Sequence, residues 1–301
     1  MRDILNSGPL PALKRQLVEM RLVPECAEWT PLEGGRSNRL WRVQRSSGDI
    51  VVKLYIAGTA TPLFANDAGA EAKVLAHLKD TGLAPAPVHN GSLSSGSILI
   101  YAYQDGLNWR AGPEQPAKVL KTLHQLSVPS GLRTLPGAPD GSRALLDQTF
   151  AILKMIPVDL AADIQKLRPV GSVPPSGIRQ ILHGDPVPDN FVCSPRDALS
   201  VPVLIDWQCP ALGDPVLDLA LFLSPAMQHV TRGTALSEQE CRRFLDAYND
   251  RATEARLKAL LPFLHWRMAA YCLWKITRDK PDHAYAAALE AQLAALKHVH
   301  A

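Results

Sequence analysis

Cysteine is scarce in this chain and nowhere grouped. The five cysteines, Cys26, Cys193, Cys209, Cys241 and Cys272, are odd in number, widely spaced and form no CxxC pair. That excludes a disulfide framework and a zinc knuckle, and points to reduced thiols in a cytoplasmic protein. No stretch approaches the roughly eighteen uncharged apolar residues of a membrane span, and the opening MRDILNSGPLPALKRQL has no unbroken apolar core of the kind a signal peptide needs. Export and membrane insertion are therefore not expected. Charge of one sign is missing too: 32 Lys and Arg against 29 Asp and Glu leave +3, too little to recruit nucleic acid or an anionic membrane. The expected partner is a small molecule, with no nucleic acid and no membrane, and the oligomeric state, monomer or homodimer, is left open. Several catalytic signatures are also absent. There is no GxGxxG, GxSxG or HExxH, and Gly91 to Gly96 has P-loop spacing but is followed by Ser97 instead of Lys.

What is present is enough apolar material for two lobes: 301 residues, 47% hydrophobic and 20% charged. Short β-type runs at 40–44, 50–55 and 97–103 predict an antiparallel meander. Between the second and third, Asn66 to Leu78 places Ala70, Val74, Leu75 and Leu78 at helical spacing, so one helix is expected on that sheet. Helical patterns dominate afterwards, at 115–126, 143–168, 214–224, 237–249, 254–278 and 282–298, with short strands near 180–207. The turn-rich Gln104 to Asn108 is read as a linker, dividing the chain into a small β-rich lobe, 1–104, and a larger, mostly helical lobe, 105–301.

The chemistry concentrates in Ile181 to Leu223. Asp185 follows His183 and Gly184, Asn190 lies five residues on, and Asp206 closes the apolar Val203-Leu204-Ile205. A strand-end carboxylate with a loop amide can offer oxygens to Mg²⁺, which takes one or two carboxylates beside phosphate oxygens. A second carboxylate kept off the metal can accept a hydroxyl proton, the division of labour that phosphoryl transfer requires. Asp185 fits the base, and Asn190 and Asp206 fit the metal. In the first lobe, a glycine-rich turn with Gly34, Gly35, Ser37 and Asn38 feeds a strand, where backbone N–H groups can approach phosphate. Lys53 lies inside an apolar strand, so it must face water or meet an anion, and Glu71 on the next helix is a natural partner. A metal phosphohydrolase with His183, Asp185, Asp189 and Asp206 as ligands is an alternative, but it leaves the turn, Lys53 and Glu71 unexplained. A catalytically inactive nucleotide-binding module is another, though every residue the chemistry needs is retained.

These residues, in this order and over almost the whole chain, resemble the aminoglycoside phosphotransferase and choline kinase superfamily. HGDxxxxN stands as His183, Gly184, Asp185 and Asn190; the strand aspartate as Asp206; and GDPxxDLA as Gly213-Asp214-Pro215 and Asp218-Leu219-Ala220. The resemblance implies an α+β, protein-kinase-like two-lobe fold with a small antiparallel N-lobe sheet and a larger, mainly helical C-lobe. It implies ATP and Mg²⁺ as cofactors, Asp185 as base, Asn190 and Asp206 on the metal, and Lys53 on the phosphates, steadied by Glu71. His183, Asp214 and Asp218 would order the loop and the site wall, the strand carrying Tyr101 and Tyr103 would form the adenine hinge, and His124 would pack. The absence of the HRD arginine and of an APE segment argues against a protein substrate. GGRSN before LWRV resembles the choline, ethanolamine and thiamine branch more than typical aminoglycoside enzymes, so an amino alcohol is the expected acceptor and an aminoglycoside the alternative. The aromatic row Trp266, Tyr271 and Trp274, one turn after Phe263, offers ring faces for a quaternary ammonium, or else plain core.

Overall fold

The computed structural model describes residues 10–32, 37–194, 201–278 and 281–300. They form two compact units. The first runs to Gly106 and takes in Val203–Cys209 from late in the chain; the second begins at Leu107 and holds the remainder.

The first unit is a five-stranded antiparallel sheet in the order β1 (Trp29–Pro31), β2 (Arg39–Val43), β3 (Ile50–Leu54), β5 (Gly96–Ala102), β4 (Pro87–Leu93). It is not a simple meander, because the chain leaves β3 through helix α2 (Ala68–Leu78) and re-enters at the far edge before returning inward. Asp67 starts α2 by accepting the Ala70 N–H at 2.9 Å. Every residue of β3 is buried. Ile50, Val52 and Leu54 alternate onto one face, where they join Trp41, Val43, Ile98 and Ile100 and meet Leu13 and Leu17 of α1 (Pro11–Glu19). Helix α1 is thus a second helix on the sheet beside the expected α2; its leucines lie one turn apart behind a proline start. The opposite face of β3 carries Val51 and Lys53. The returning segment holds β9 (Val203–Leu204), whose Leu204 N–H donates to Leu83 O at 2.9 Å.

The second unit is mainly helical: α3 (Glu114–Gln125), α4 (Gly141–Leu153), α5 (Val158–Lys166), α6 (Val216–Leu223), α7 (Pro225–Arg232), α8 (Glu238–Tyr248), α9 (Arg251–Thr277) and α10 (Ala284–His300). Two antiparallel ribbons complete it: β7 (Gln180–Leu182) with β10 (Ala211–Gly213), and β6 (Leu107–Asn108) with β8 (Phe191–Cys193). Leu107 and Asn108, read above as linker, are therefore paired strand. The single helix expected over 143–168 is two, because Pro157 has no N–H to donate and closes off a helix before restarting one. The pattern over 214–224 likewise ends at Leu223, where the Ser224 side chain accepts the Met227 N–H at 3.3 Å and opens α7. Helix α9 packs against α4, α5, α6 and α10, and its buried residues lie all round it, as expected of a central helix. None of the described helices is long and apolar enough to cross a membrane.

Candidate active site

Three expected residues meet in the first unit. Lys53, paired in register with Leu40 and Leu99, has no exposed surface. Its ammonium lies 2.7 Å from Glu71 Oε2 and 2.6 Å from Asp206 Oδ1. Burial alone would strip the charge from this lysine, but Asp206 and Glu71 outweigh it and hold the ammonium well above its ordinary pKa. For Glu71, burial dominates and pushes its pKa up, against the pull of Lys53.

Tyr55 was not anticipated. Its hydroxyl donates to the same Glu71 Oε2, and its ring lies 5.1 Å from the Lys53 ammonium. Burial, then the Glu71 charge, drives the Tyr55 pKa far up, so the phenol stays a donor. Tyr101 is buried nearby and shifted up in the same way. The alternating pattern of β3 hid Tyr55, which follows the last strand residue.

Asp206 adopts φ +63°, a left-handed conformation that a non-glycine residue holds only when its surroundings impose it. The surroundings here do. Trp207 Nε1 donates to Leu204 O at 2.9 Å, the Asp67 N–H donates to Gln208 O at 3.0 Å, and Asn38 Nδ2 donates to Gln208 Oε1 at 2.8 Å. Asn38 is itself buried, with a reciprocal amide pair to Asn66 and its Oδ1 accepting the Ile56 N–H at 3.1 Å. The structure therefore makes Asn38 a clamp between the turn and the Asp206 segment, with its side chain already committed. Gly34 and Gly35 lie outside the described residues, and Ser37 is half-buried beside Asn38. In the expected hinge, the N–H groups of Ala102 and Tyr103 already donate to Ala86 O and Asp49 O, and the Tyr103 ring lies under Arg42 at 4.2 Å.

The second unit holds the other set. His183 is fully buried and accepts the Asp185 N–H on Nδ1 at 3.2 Å. The loop is anchored by Asp218, 1% exposed, which accepts the N–H groups of His183 (2.8 Å) and Gly184 (3.0 Å) and contacts His124 Nε2 at 3.2 Å. Gly184 sits at φ +82°, the turn that lets two successive N–H groups reach one carboxylate. His124 does more than pack: its other nitrogen meets the Tyr248 hydroxyl at 3.0 Å. Asp185 is half-buried, and its carbonyl accepts the Val187 N–H and Asn190 Nδ2, the latter at 2.8 Å. That bond fixes the Asn190 amide and leaves its Oδ1 for a ligand. Asp214 caps α6 through the Val216 N–H and pairs with Arg256, which also binds Asp140 at 2.9 Å and Pro174 O at 3.0 Å. Both Asp214 oxygens are thus committed to protein partners.

The phosphohydrolase ligand set does not form. His183 is spent inside the loop, Asp189 pairs with Arg110 at 2.8 Å, and among the described residues no group of three or more His, Cys, Asp or Glu is placed to hold a metal. The aromatic row is also reassigned in part. Trp266 has no exposed face; its Nε1 donates to Ile164 O at 2.7 Å and its ring meets Phe150 edge-on, so it is core. Tyr271 is buried against Tyr285 and stacked on Trp274, whose half-buried ring carries the Arg278 guanidinium at 5.1 Å.

The model of the phosphotransferase enzyme family matches residues 28–260. The chain belongs to this family. It is a phosphotransferase enzyme with the protein-kinase-like fold. An ethanolamine kinase from Plasmodium vivax matches at 16% identity with a TM-score of 0.62, over 95% of this chain and 88% of that one. A choline/ethanolamine kinase family protein from Mesorhizobium loti matches at 16% identity and TM-score 0.63, over 95% and 93%. A spectinomycin phosphotransferase solved with ADP and spectinomycin matches at 16% identity and TM-score 0.54, over 97% and 95%. No curated protein sequence matches the chain.

Proposed function

We propose that this phosphotransferase moves the γ-phosphate of ATP, with Mg²⁺, to a hydroxyl of a small amino alcohol such as choline, ethanolamine or thiamine. The observation that carries the chemistry is the wholly buried Lys53 held between Glu71 and Asp206. A buried cation so placed keeps its charge at any working pH and can take phosphate oxygens in place of a carboxylate partner.

The residues fit a magnesium ion. Asp206 uses only Oδ1 on Lys53, and Asn190 keeps Oδ1 open, so a carboxylate oxygen and an amide oxygen remain, the hard donors Mg²⁺ prefers. One lysine against two carboxylates, of which Asp206 is partly exposed, also leaves this group one negative charge in excess. When bound, Mg²⁺ neutralises charge on the phosphate oxygens during transfer. Asp185, on the loop that Asp218 anchors, accepts the proton of the attacking hydroxyl. Lys53 orients the phosphates, and Glu71 with Tyr55 orients Lys53.

Two observations support an amino alcohol. The Trp274 face already receives a cation, Arg278, and so has the electron-rich character that an ammonium group seeks. Two of the similar folds are named for ethanolamine or choline. The test is Mg·ATP consumption against choline, ethanolamine, thiamine, homoserine, methylthioribose and kanamycin, with Asp185→Asn as blank. One amino alcohol is expected to raise turnover about 10²-fold or more over the blank, with nucleotide binding retained in the variant. Kanamycin as sole acceptor would make the chain an aminoglycoside enzyme, and turnover surviving Asp185→Asn would remove the base.

A further inference from the structure

Two buried polar side chains stand behind the loop that carries Asp185, and the transfer described above gives neither a part. His124 lies in the last turn of α3, Tyr248 ends α8 and Asp218 lies in the first turn of α6, and none of the three is more than 2% exposed. His124 sits between the other two: its Nε2 is 3.2 Å from Asp218 Oδ2 and its Nδ1 is 3.0 Å from the Tyr248 hydroxyl. Polar groups this deep are kept where each proton meets an acceptor, so the three must share their protons in one consistent order.

The two ends set that order. Asp218 already accepts the His183 and Gly184 N–H groups, as an ionised carboxylate does, so His124 Nε2 must bring it a proton and not a lone pair. At the other end, burial and then the charges of Asp250, Asp218 and Asp214 push the Tyr248 pKa up, and the phenol keeps its proton. Thr253 reaches the same hydroxyl from α9 and can donate to its oxygen, which leaves the phenol proton for His124 Nδ1. Lys121, one turn before His124, holds the Tyr248 ring in place: its ammonium lies 4.9 Å from the ring centre and 2.9 Å from Asp250 Oδ2. The sequence of donors therefore runs from Tyr248 through His124 to Asp218. From Asp218 it continues into the loop, where His183 in turn accepts the Asp185 N–H.

We propose that His124 and Tyr248 are positioning residues for the phosphoryl transfer. Tyr248 holds His124 as the neutral Nε2–H tautomer, and His124 thereby supplies the third donor that keeps the Asp218 carboxylate turned toward the His183 and Gly184 N–H groups. Without the phenol, Nδ1 can take the proton itself, and the ring then turns a lone pair on Asp218. The proposal rests on the reading of Asp185 as the base.

The test is nitrogen NMR of the chain labelled with ¹⁵N-histidine, with exchange of the His183 and Gly184 amide protons, and Mg·ATP consumption with the acceptor of highest turnover in the panel above. Wild type should show His124 as the Nε2–H tautomer at neutral pH. Tyr248→Phe should lose that signature and speed exchange of the two amides about 10-fold. It should also lower kcat about 3- to 10-fold at an unchanged KM for ATP. His124→Gln, whose amide N–H can stand in for Nε2–H, should keep the amide protection and most of the turnover, whereas His124→Leu should lose both. An imidazolium or an Nδ1–H tautomer in wild type, or equal turnover in His124→Gln and His124→Leu, would overturn the proposal. Should Tyr248→Phe fail to fold, the wild-type tautomer and the two His124 variants still decide it. Asp185→Asn separates the two readings: turnover surviving it removes the base, while turnover lost in it but intact in His124→Leu overturns the positioning role alone.

Discussion

Asp218→Asn isolates what a single buried carboxylate does for the loop that carries His183, Gly184 and Asp185. Asp218 Oδ2 accepts the His183 N–H and contacts His124 Nε2, while Oδ1 accepts the Gly184 N–H. Asparagine keeps the shape but has one acceptor oxygen. If that oxygen stays with His183 and His124, the amide NH₂ faces the Gly184 N–H, donor against donor. A hydrogen bond to a charged group is worth about 1.5–3 kcal/mol, and a stranded buried donor costs about 1–3 kcal/mol. The expected loss is therefore about 2–4 kcal/mol, large against a total of about 5–15 kcal/mol but short of unfolding the chain. The released Gly184 should also shift Asp185, its neighbour and the proposed base, and a displacement of about 1 Å at a reacting group costs on the order of 10²-fold in rate. Denaturant unfolding and steady-state ATP consumption measure the two effects. Turnover should fall about 10- to 100-fold, with nucleotide affinity unchanged because Lys53, Glu71 and Asp206 keep their contacts. Wild-type stability together with wild-type turnover would refute the reasoning; lost stability with full turnover would reduce Asp218 to a structural anchor.

Tyr55→Phe removes a donor from Glu71 Oε2, whose partner oxygen Oε1 is already buried without a hydrogen bond. It should lower stability by about 1–2 kcal/mol and raise the KM for ATP several-fold with little change in kcat, and an unchanged KM would show that Lys53 needs no such support. Trp266→Ala should cost about 3–5 kcal/mol in unfolding free energy yet leave the acceptor KM unchanged below its melting point; a selective rise in that KM would return Trp266 to the pocket. Glu240 closes the capping box of α8 and pairs with Arg232, and the Ser237 N–H leads in lowering its pKa to about 2. A folded-state pKa below the unfolded value means stability present above pH of about 4.5 and lost as pH falls toward 2. Glu240→Gln should therefore flatten the fall in melting temperature between about pH 5 and pH 3, and identical acid profiles would count against the cap.

The residues proposed to carry the chemistry stand out in the sequence because each breaks a local pattern. Lys53 interrupts an apolar strand, Asp206 ends one, and the prolines around Asp185 announce a loop, all within a few residues of chain. Their partners stand out less. That Asn38 is a clamp depends on Gln208, a hundred and seventy positions later, and Tyr55 acts through Glu71 across the turn into α2. The resemblance implied a structural role for the GDPxxDLA segment, but not that Asp218 holds two successive loop N–H groups, since no spacing rule relates residue 183 to residue 218.

Periodicity marked most of the longer helices and the central strands, because backbone hydrogen bonding and side-chain alternation are local, but it missed α1 and α7 and the stop that Pro157 imposes within 143–168. Which face of an element meets protein is set by whatever else packs there. Trp266 became core because Phe150 and the Ile164 carbonyl close over it, whereas Trp274, two turns along the same helix, keeps a half-open ring. Likewise Asp206 joins the first unit only because Leu83, Asp67 and Asn38 supply hydrogen bonds that the intervening chain cannot. Burial and partnership are properties of the assembled tertiary structure, and it alone turned a lysine in a strand into a charged group held between two carboxylates.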